Sequence, residues 1–226
     1  MINQNHPLPT VAILGGTGKE GPGLAMRWAG AGYTLIIGSR QAEKAQATAQ
    51  DLNAKLGVSS ITGMENGQAA RRADISVLTV VYSAHQSALE GLREDLDGKI
   101  LVDATARVDF RNPVPPAPPA AARVAQDILG PGVRVVAAFQ NVPAHALKRD
   151  LSQPVESAVL VCSDDIPAAE EVIALARAGG MHAYFAGGLD NAVVVEGITS
   201  LMISINQHYG VRSASIGITG LLQDVE

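Results

Sequence analysis

Residues 11–40 read VAILGGTGKEGPGLAMRWAGAGYTLIIGSR, and this stretch decides the fold. The apolar run Val11–Leu14 has the length of a buried parallel strand. Gly16, Gly18 and Gly21 follow at the spacing G-x-G-x-x-G, and a helical segment opens at the third. At such a turn the first glycine permits a tight bend, the second admits a pyrophosphate to the backbone, and the third packs helix against strand. The unpaired amides at the start of the helix suit an anion, so the stretch predicts dinucleotide binding. A second apolar run then ends in Gly38-Ser39-Arg40. NAD sites place an acidic residue there to hold the ribose 2′-hydroxyl. A carboxylate repels a 2′-phosphate, whereas the hydroxyl of Ser39 and the guanidinium of Arg40 bind one. The predicted cofactor is therefore NADP. Lys44, one turn beyond Arg40, either reaches the same phosphate or is simply solvated.

Outward from this unit, strands and helices alternate. The pattern predicts a helix over Ala42–Leu56, a short strand at Ser60–Thr62, a helix over Asn66–Ala73 and a strand over Ile75–Val81. A helix near Ala84–Leu92 and strands at Ile100–Asp103 and Val133–Phe139 follow. This order implies a doubly wound parallel sheet with right-handed crossovers. Ligands of such sheets bind beyond the carboxyl ends of the strands, which singles out Tyr82 and Ser83, Ala104 and Thr105, and Gln140–Ala144. The proline-rich run Asn112–Pro119 reads as a stiff surface loop, because its prolines lack amide donors. From Asp150 the chain is expected to form a smaller unit: strand Ser157–Cys162, helix Ile166–Ala178, strand Met181–Ala186 and a long helix Asn191–Tyr209. That last helix is apolar nearly all round, which calls for burial on several sides. Packing on the sheet plus a homodimer interface would satisfy it.

The chain has 226 residues and a formal net charge of −5. From Asp150 onward its basic side chains are Arg177 and Arg212, against ten acids; the first 149 residues carry fifteen Lys and Arg against twelve acids. This fits a phosphate-handling first part and an acidic remainder. No basic stripe interleaves with aromatics, so nucleic acid is not an expected partner. No apolar run approaches the ~18 residues of a membrane span. Met1–Thr10 has no basic patch followed by an apolar core, and a cytoplasmic location is expected. The single cysteine, Cys162, lies in an apolar run and reads as a core thiol.

Several proton-relay arrangements are missing. The four tyrosines are followed four residues later by Ile37, Gln86, Gly188 and Ser213, not by the lysine that short-chain dehydrogenases use. The helix Asn191–Tyr209 lacks the lysine that β-hydroxyacid dehydrogenases place on a corresponding helix. The histidines do not pair at metal-binding spacing, and no metal site is expected. Hydride transfer between two planar redox cofactors needs no such relay, since the protein mainly sets distance and stacking.

The run GGTGKEGPGLAMRWAGAGYTLIIGSRQAEKA resembles the NADPH-dependent F420 reductases. ITGM at 61–64, VVAAFQNVPA at 135–144, LVCSDD at 160–165 and AGGLDNAVVVEGITSLMISIN at 186–206 extend the resemblance over nearly the whole chain. The resemblance implies a Rossmann-type NADP-binding domain over residues 1–149. A small C-terminal α/β domain over 150–226 would complete the acceptor site and a homodimer interface. The implied reaction is reversible hydride transfer between NADP and the deazaflavin coenzyme F420. By position, Gly16, Thr17, Gly18, Lys19 and Glu20 would surround the pyrophosphate, and Ser39, Arg40 and Lys44 the 2′-phosphate. Val81 and Tyr82 would line the path to the nicotinamide, with Ala144 beside it. Gln140, Asn141, Val142 and Pro143 would form the wall of the acceptor pocket. Family members often have a histidine where Gln140 stands and a proline at Ser200. A reductase of another planar acceptor (a flavin or quinone) and a non-catalytic NADP sensor are the alternatives.

Overall fold

The computed structural model describes residues 7–221, so the reading of Met1–Thr10 rests mostly on residues outside that range. Eight strands form one sheet in the order β3-β2-β1-β4-β5-β6-β7-β8. They are β1 (Val11–Leu14), β2 (Leu35–Ser39), β3 (Ile61–Glu65), β4 (Ile75–Leu78), β5 (Ile100–Asp103), β6 (Arg134–Ala137), β7 (Val155–Ser163) and β8 (Met181–Phe185). The first six are parallel, and the order reverses between β1 and β4, as a doubly wound sheet requires. The two strands of the carboxyl-terminal part extend the same sheet. β7 joins β6 antiparallel through Val136–Ser163 and Ala137–Cys162, and β8 runs parallel to β7.

Alternate residues of a strand face opposite ways, so a sheet buried on both sides needs two cores. Val11, Ile13, Leu35 and Ile37 pack beneath α1 (Gly21–Gly30), α2 (Ala42–Leu56) and α6 (Ile166–Ala178). Ala12, Leu14, Leu78 and Leu101 face α3 (Asn66–Arg72), α4 (His85–Leu92), α5 (Ala121–Leu129) and α7 (Ala192–Tyr209). Cys162 is buried in this second core, and burial pushes its thiol up to about 11.

Several boundaries differ from the sequence reading. β3 continues to Glu65, and β4 stops at Leu78 rather than Val81. β6 ends at Ala137, because Phe139 takes φ 73°, a left-handed conformation that ends the strand. No helix is expected over Ala121–Leu129, where the structure has α5. Its start is hard to read because Ala120 has no side-chain acceptor for the first amides. The acceptor comes instead from Glu196 on α7, whose Oε1 takes the Ala121 amide at 2.7 Å.

The junction into β7 is held by α1. Arg27 is buried, and its guanidinium donates to the carbonyls of Leu147 (3.1 Å), Asp150 (3.2 Å), Leu151 (3.4 Å) and Gln153 (2.6 Å). Its neighbour Trp28 donates Nε1–H to the Leu175 carbonyl of α6 at 2.9 Å and meets Phe139 edge-on at 5.7 Å. Replacing Arg27 by Met removes all four bonds, the one to the Leu147 carbonyl from a buried position. Arg27→Met is expected to lower the unfolding free energy in urea by about 2–3 kcal/mol. An unchanged midpoint would show that these carbonyls find water instead.

Candidate active site

The glycine turn bends after β1. The Gly16 amide donates to Ile13 O (3.1 Å) and Gly38 O (2.9 Å), which folds the turn back over the strand ends. A Cβ on Gly16 would lie 2.6 Å from Ile13 O, and one on Gly21 would lie within 2.7 Å of the Gly16 backbone. A Cβ on Gly18 would meet nothing nearer than 3.5 Å. The first and third glycines are thus required by the protein's own packing. Gly18 is exposed and leaves its space open, as a backbone approached by a pyrophosphate needs. Thr17, Lys19 and Glu20 border the same turn. Glu20 Oε1 is buried without a partner among the described residues, and burial raises its carboxyl to about 8.

Asn66, which the sequence reading missed, sets the first amide of this turn. Its Oδ1 accepts from Gly15 N at 3.1 Å. A Cβ on Gly38 would lie 2.7 Å from that oxygen, so the glycine of Gly38-Ser39-Arg40 makes room for the Asn66 side chain. A glycine inside a strand pattern is the signal that could have announced this close approach. Ser39 is buried at the end of β2, and its Oγ accepts from Gln41 N at 3.2 Å, leaving its hydroxyl proton to donate. Arg40 and Lys44 are exposed beyond it and form no ion pair among the described residues. This end of the edge presents one hydroxyl and two unpaired cations. It fits the 2′-phosphate of NADP.

After β4 the chain runs through Val81 and Tyr82, which are 70% and 44% exposed and so offer apolar surface beside the glycine turn. Below them lies a buried pair: His85 Nε2 is 2.7 Å from Asp103 Oδ2 at the end of β5. Asp103 also accepts the Thr105 amide at Oδ1 (2.9 Å), and its carbonyl accepts Gln140 Nε2–H at 3.0 Å. Asp103 therefore ties the exits of β4, β5 and β6 together.

The segment after β6 is a wall fixed from behind. Gln140, Asn141 and Val142 are buried, while Pro143 and Ala144 are partly exposed. Asn141 Nδ2–H donates to Ala158 O of β7 at 2.7 Å, and Thr199 Oγ1–H of α7 donates to Gln140 O at 2.9 Å. Because β7 is antiparallel, its first half projects past the carboxyl end of β6 and supports this wall. All the residues singled out from the sequence lie at the carboxyl edge, on the exits of five adjacent strands, β2, β1, β4, β5 and β6. The side chains of Gln140 and Asn141 hold the wall in place from within.

A second missed group closes the edge. Glu196 is fully buried, and its Oε2 accepts from Arg107 N (3.1 Å) and Arg107 Nε (2.9 Å). The proline-rich loop lies along the same helix: Ser200 Oγ–H donates to Val114 O at 3.0 Å, and Gln207 Nε2–H to Phe110 O at 2.7 Å. Ser200, where family members often carry proline, thus has its own partner here. A lone carboxylate in the apolar run AVVVEGIT was the available signal, since a buried charge needs partners.

Glu20 makes the stability depend on pH. With its carboxyl raised above the ordinary value of 4.5, the folded chain holds a proton that the unfolded chain has released. Stability from this group is complete below about 4.5 and is lost as pH rises through about 8. Glu20→Gln is expected to abolish that loss. Urea unfolding of both chains at low and high pH reads it, and parallel profiles would refute it.

Known proteins are similar to this chain over nearly its whole length. A model of the family described as NADP oxidoreductase, coenzyme F420-dependent, matches residues 10–107. The F420-dependent NADP reductase of Methanothermobacter marburgensis is 40% identical over 221 residues, covering 93% of this chain and 98% of that protein. The enzyme of the same name from Methanocaldococcus jannaschii is 39% identical over 223 residues, with 93% and 98% covered. Among solved structures, a chain from Arthrobacter sp. fb24 shares the fold at a TM-score of 0.79 and 23% identity, with 94% of this chain and all of that one covered. A pyrroline-5-carboxylate reductase from Coxiella burnetii shares it at 0.60 and 18% identity, with 90% and 71% covered. With the glycine turn, the cationic end of β2 and relatives matched across nearly their whole length, this chain belongs to the coenzyme F420-dependent NADP oxidoreductase family.

Proposed function

We propose that this enzyme transfers hydride reversibly between NADP(H) and the deazaflavin coenzyme F420. The observation that carries the reading is one continuous edge with two unlike ends. An open glycine turn and free cations stand at one end, and a wall braced by β7 and α7 at the other. In the reaction the C4–H bond of the dihydronicotinamide breaks and a C–H bond to the deazaflavin C5 forms. Both electrons move with the hydrogen, so the nicotinamide is oxidised and the deazaflavin reduced, and a solvent proton completes the product. The protein's part is to hold two rings at stacking distance and exclude water between them.

In this reading Gly16, Thr17, Gly18, Lys19 and the neutral Glu20 bind the pyrophosphate, and Ser39, Arg40 and Lys44 bind the 2′-phosphate. Val81, Tyr82 and Ala144 flank the nicotinamide, while Gln140, Asn141, Val142 and Pro143 back the acceptor. Residues 1–149 serve NADP and residues 150–226 complete the acceptor side. Both coenzymes are water-soluble, and the reading puts the enzyme in the cytoplasm with them. A homodimer belongs to the same proposal. The outer face of α7 exposes Val194, Leu201, Ile205 and Tyr209, an apolar stripe that a second copy would cover.

Mixing the enzyme with NADPH and F420 is expected to bleach the deazaflavin's visible absorbance. No change in either coenzyme, or turnover with a flavin or quinone alone, would sink the reading. Arg40→Ala removes a charged contact worth about 1.5–3 kcal/mol, so NADPH affinity should fall roughly ten- to a hundredfold with NADH nearly unaffected. Equal losses would place the 2′-phosphate elsewhere. Leu201→Glu should convert a dimer to monomer in light scattering, and a monomeric parent would refute the dimer.

A further inference from the structure

Arg107 stands four residues past the end of β5, where nothing in the NADP reading employs it. Arginine and a carboxylate ordinarily form a fork of two nitrogens and two oxygens. Here the fork is half made. Glu196 Oε2 takes Arg107 Nε at 2.9 Å, but Oε1 is spent on the Ala121 amide at 2.7 Å. Arg107 Nη2 is left buried with no acceptor among the described residues. A charged donor so placed is costly unless something else accepts from it.

Two contacts connect it to the edge already described. The guanidinium carbon lies 5.9 Å from the ring centre of Tyr82, whose face is part of the apolar surface after β4. Thr199, one turn beyond Glu196 on α7, holds the carbonyl of Gln140. One turn of α7 thus fixes Arg107 and the acceptor wall together. The loop after Arg107 is held to α7 by Ser200 and Gln207, with Pro115 against Gly197, while the guanidinium itself is held by Glu196.

We propose that Arg107 stabilises the charge that hydride transfer delivers to the acceptor ring, with Glu196 as its positioning residue. The proposal rests on the F420 reading above. Until the solvent proton arrives, the electron pair that came with the hydrogen leaves the acceptor ring one negative charge richer. A donor fixed in advance and shielded from water favours that state without reorganising. Arg107 Nη2 meets both conditions. The carboxylate of Glu196, engaged at Nε, sets the plane of the guanidinium without bonding to Nη2.

The test compares the parent enzyme with Arg107→Met, Arg107→Lys and Glu196→Gln. It measures the single-turnover rate of hydride transfer to F420 and, by fluorescence, the separate dissociation constants of NADPH and F420. Arg107→Met is expected to slow transfer roughly a hundredfold. NADPH affinity should stay within about twofold, and F420 affinity should fall less than the rate. Arg107→Lys should restore part of the rate, and Glu196→Gln should slow transfer by less than Arg107→Met. Transfer within about twofold of the parent in Arg107→Met would overturn the role of Arg107 and leave the F420 reading standing. A parallel loss of NADPH binding would also overturn it, by showing that Arg107 merely supports the fold. A parent enzyme that does not reduce F420 removes the reading and the proposal together.

Discussion

The contact on which the arrangement depends is the guanidinium of Arg27 among four carbonyls of residues 147–153. The chain leaves β6 in the parallel direction and must re-enter the sheet antiparallel as β7. That reversal exposes a run of backbone carbonyls that no strand can pair. A buried arginine on α1 satisfies them with one rigid fork of donors, and desolvation lowers its pKa while Asp150 pushes the other way. A lysine, with its donors on a single atom, would not span the same set. Without this junction β7 would not project past β6, and the acceptor wall would have no backing.

The site divides the work between two kinds of hold. Around the glycine turn the edge is left open: Gly18 leaves its space free, and Arg40 and Lys44 form no ion pair among the described residues. Beyond β5 and β6 the edge is bonded instead, since Asp103, Asn141, Thr199 and Glu196 each bond to a neighbouring segment. Phe139 belongs to this second half. Its left-handed backbone turns the chain out of β6 while its ring stays buried against Trp28, so packing sustains a conformation that a free phenylalanine avoids.

The first strands, the glycine turn and the helices beside them were legible because their signals are local. A turn, a helix start and a cationic strand end all occur within thirty residues, and α2 falls at Ala42–Leu56 as its pattern predicts. The elements of the carboxyl-terminal part were also readable from periodicity. Their partners were not. Nothing near Ala121 announces α5, because its cap lies 75 residues away. The antiparallel entry of β7 leaves no mark on its own apolar run. The apolar character of α7 calls for burial on several sides, but within one chain its buried residues are Ala192, Val195, Glu196, Gly197 and Ser200, and its outer face stays open at Val194, Leu201, Ile205 and Tyr209. The polar hub at Asp103 was hidden for a similar reason: a single acid ending the strand ILVD looks like an ordinary strand terminus until His85 is folded against it.

The cap that Glu196 supplies to α5 bears on how such a chain can evolve. A fragment ending at residue 149 would retain every glycine and cation of the nucleotide half. It would nevertheless lack the oxygen that takes the Ala121 amide and the one that holds Arg107, and it would lose the α6 carbonyl that receives Trp28. The parts of the chain before and after residue 149 are therefore not exchangeable modules. Variation along the edge between β5 and β6 must preserve the long helix, whose Glu196 and Thr199 bond to both segments.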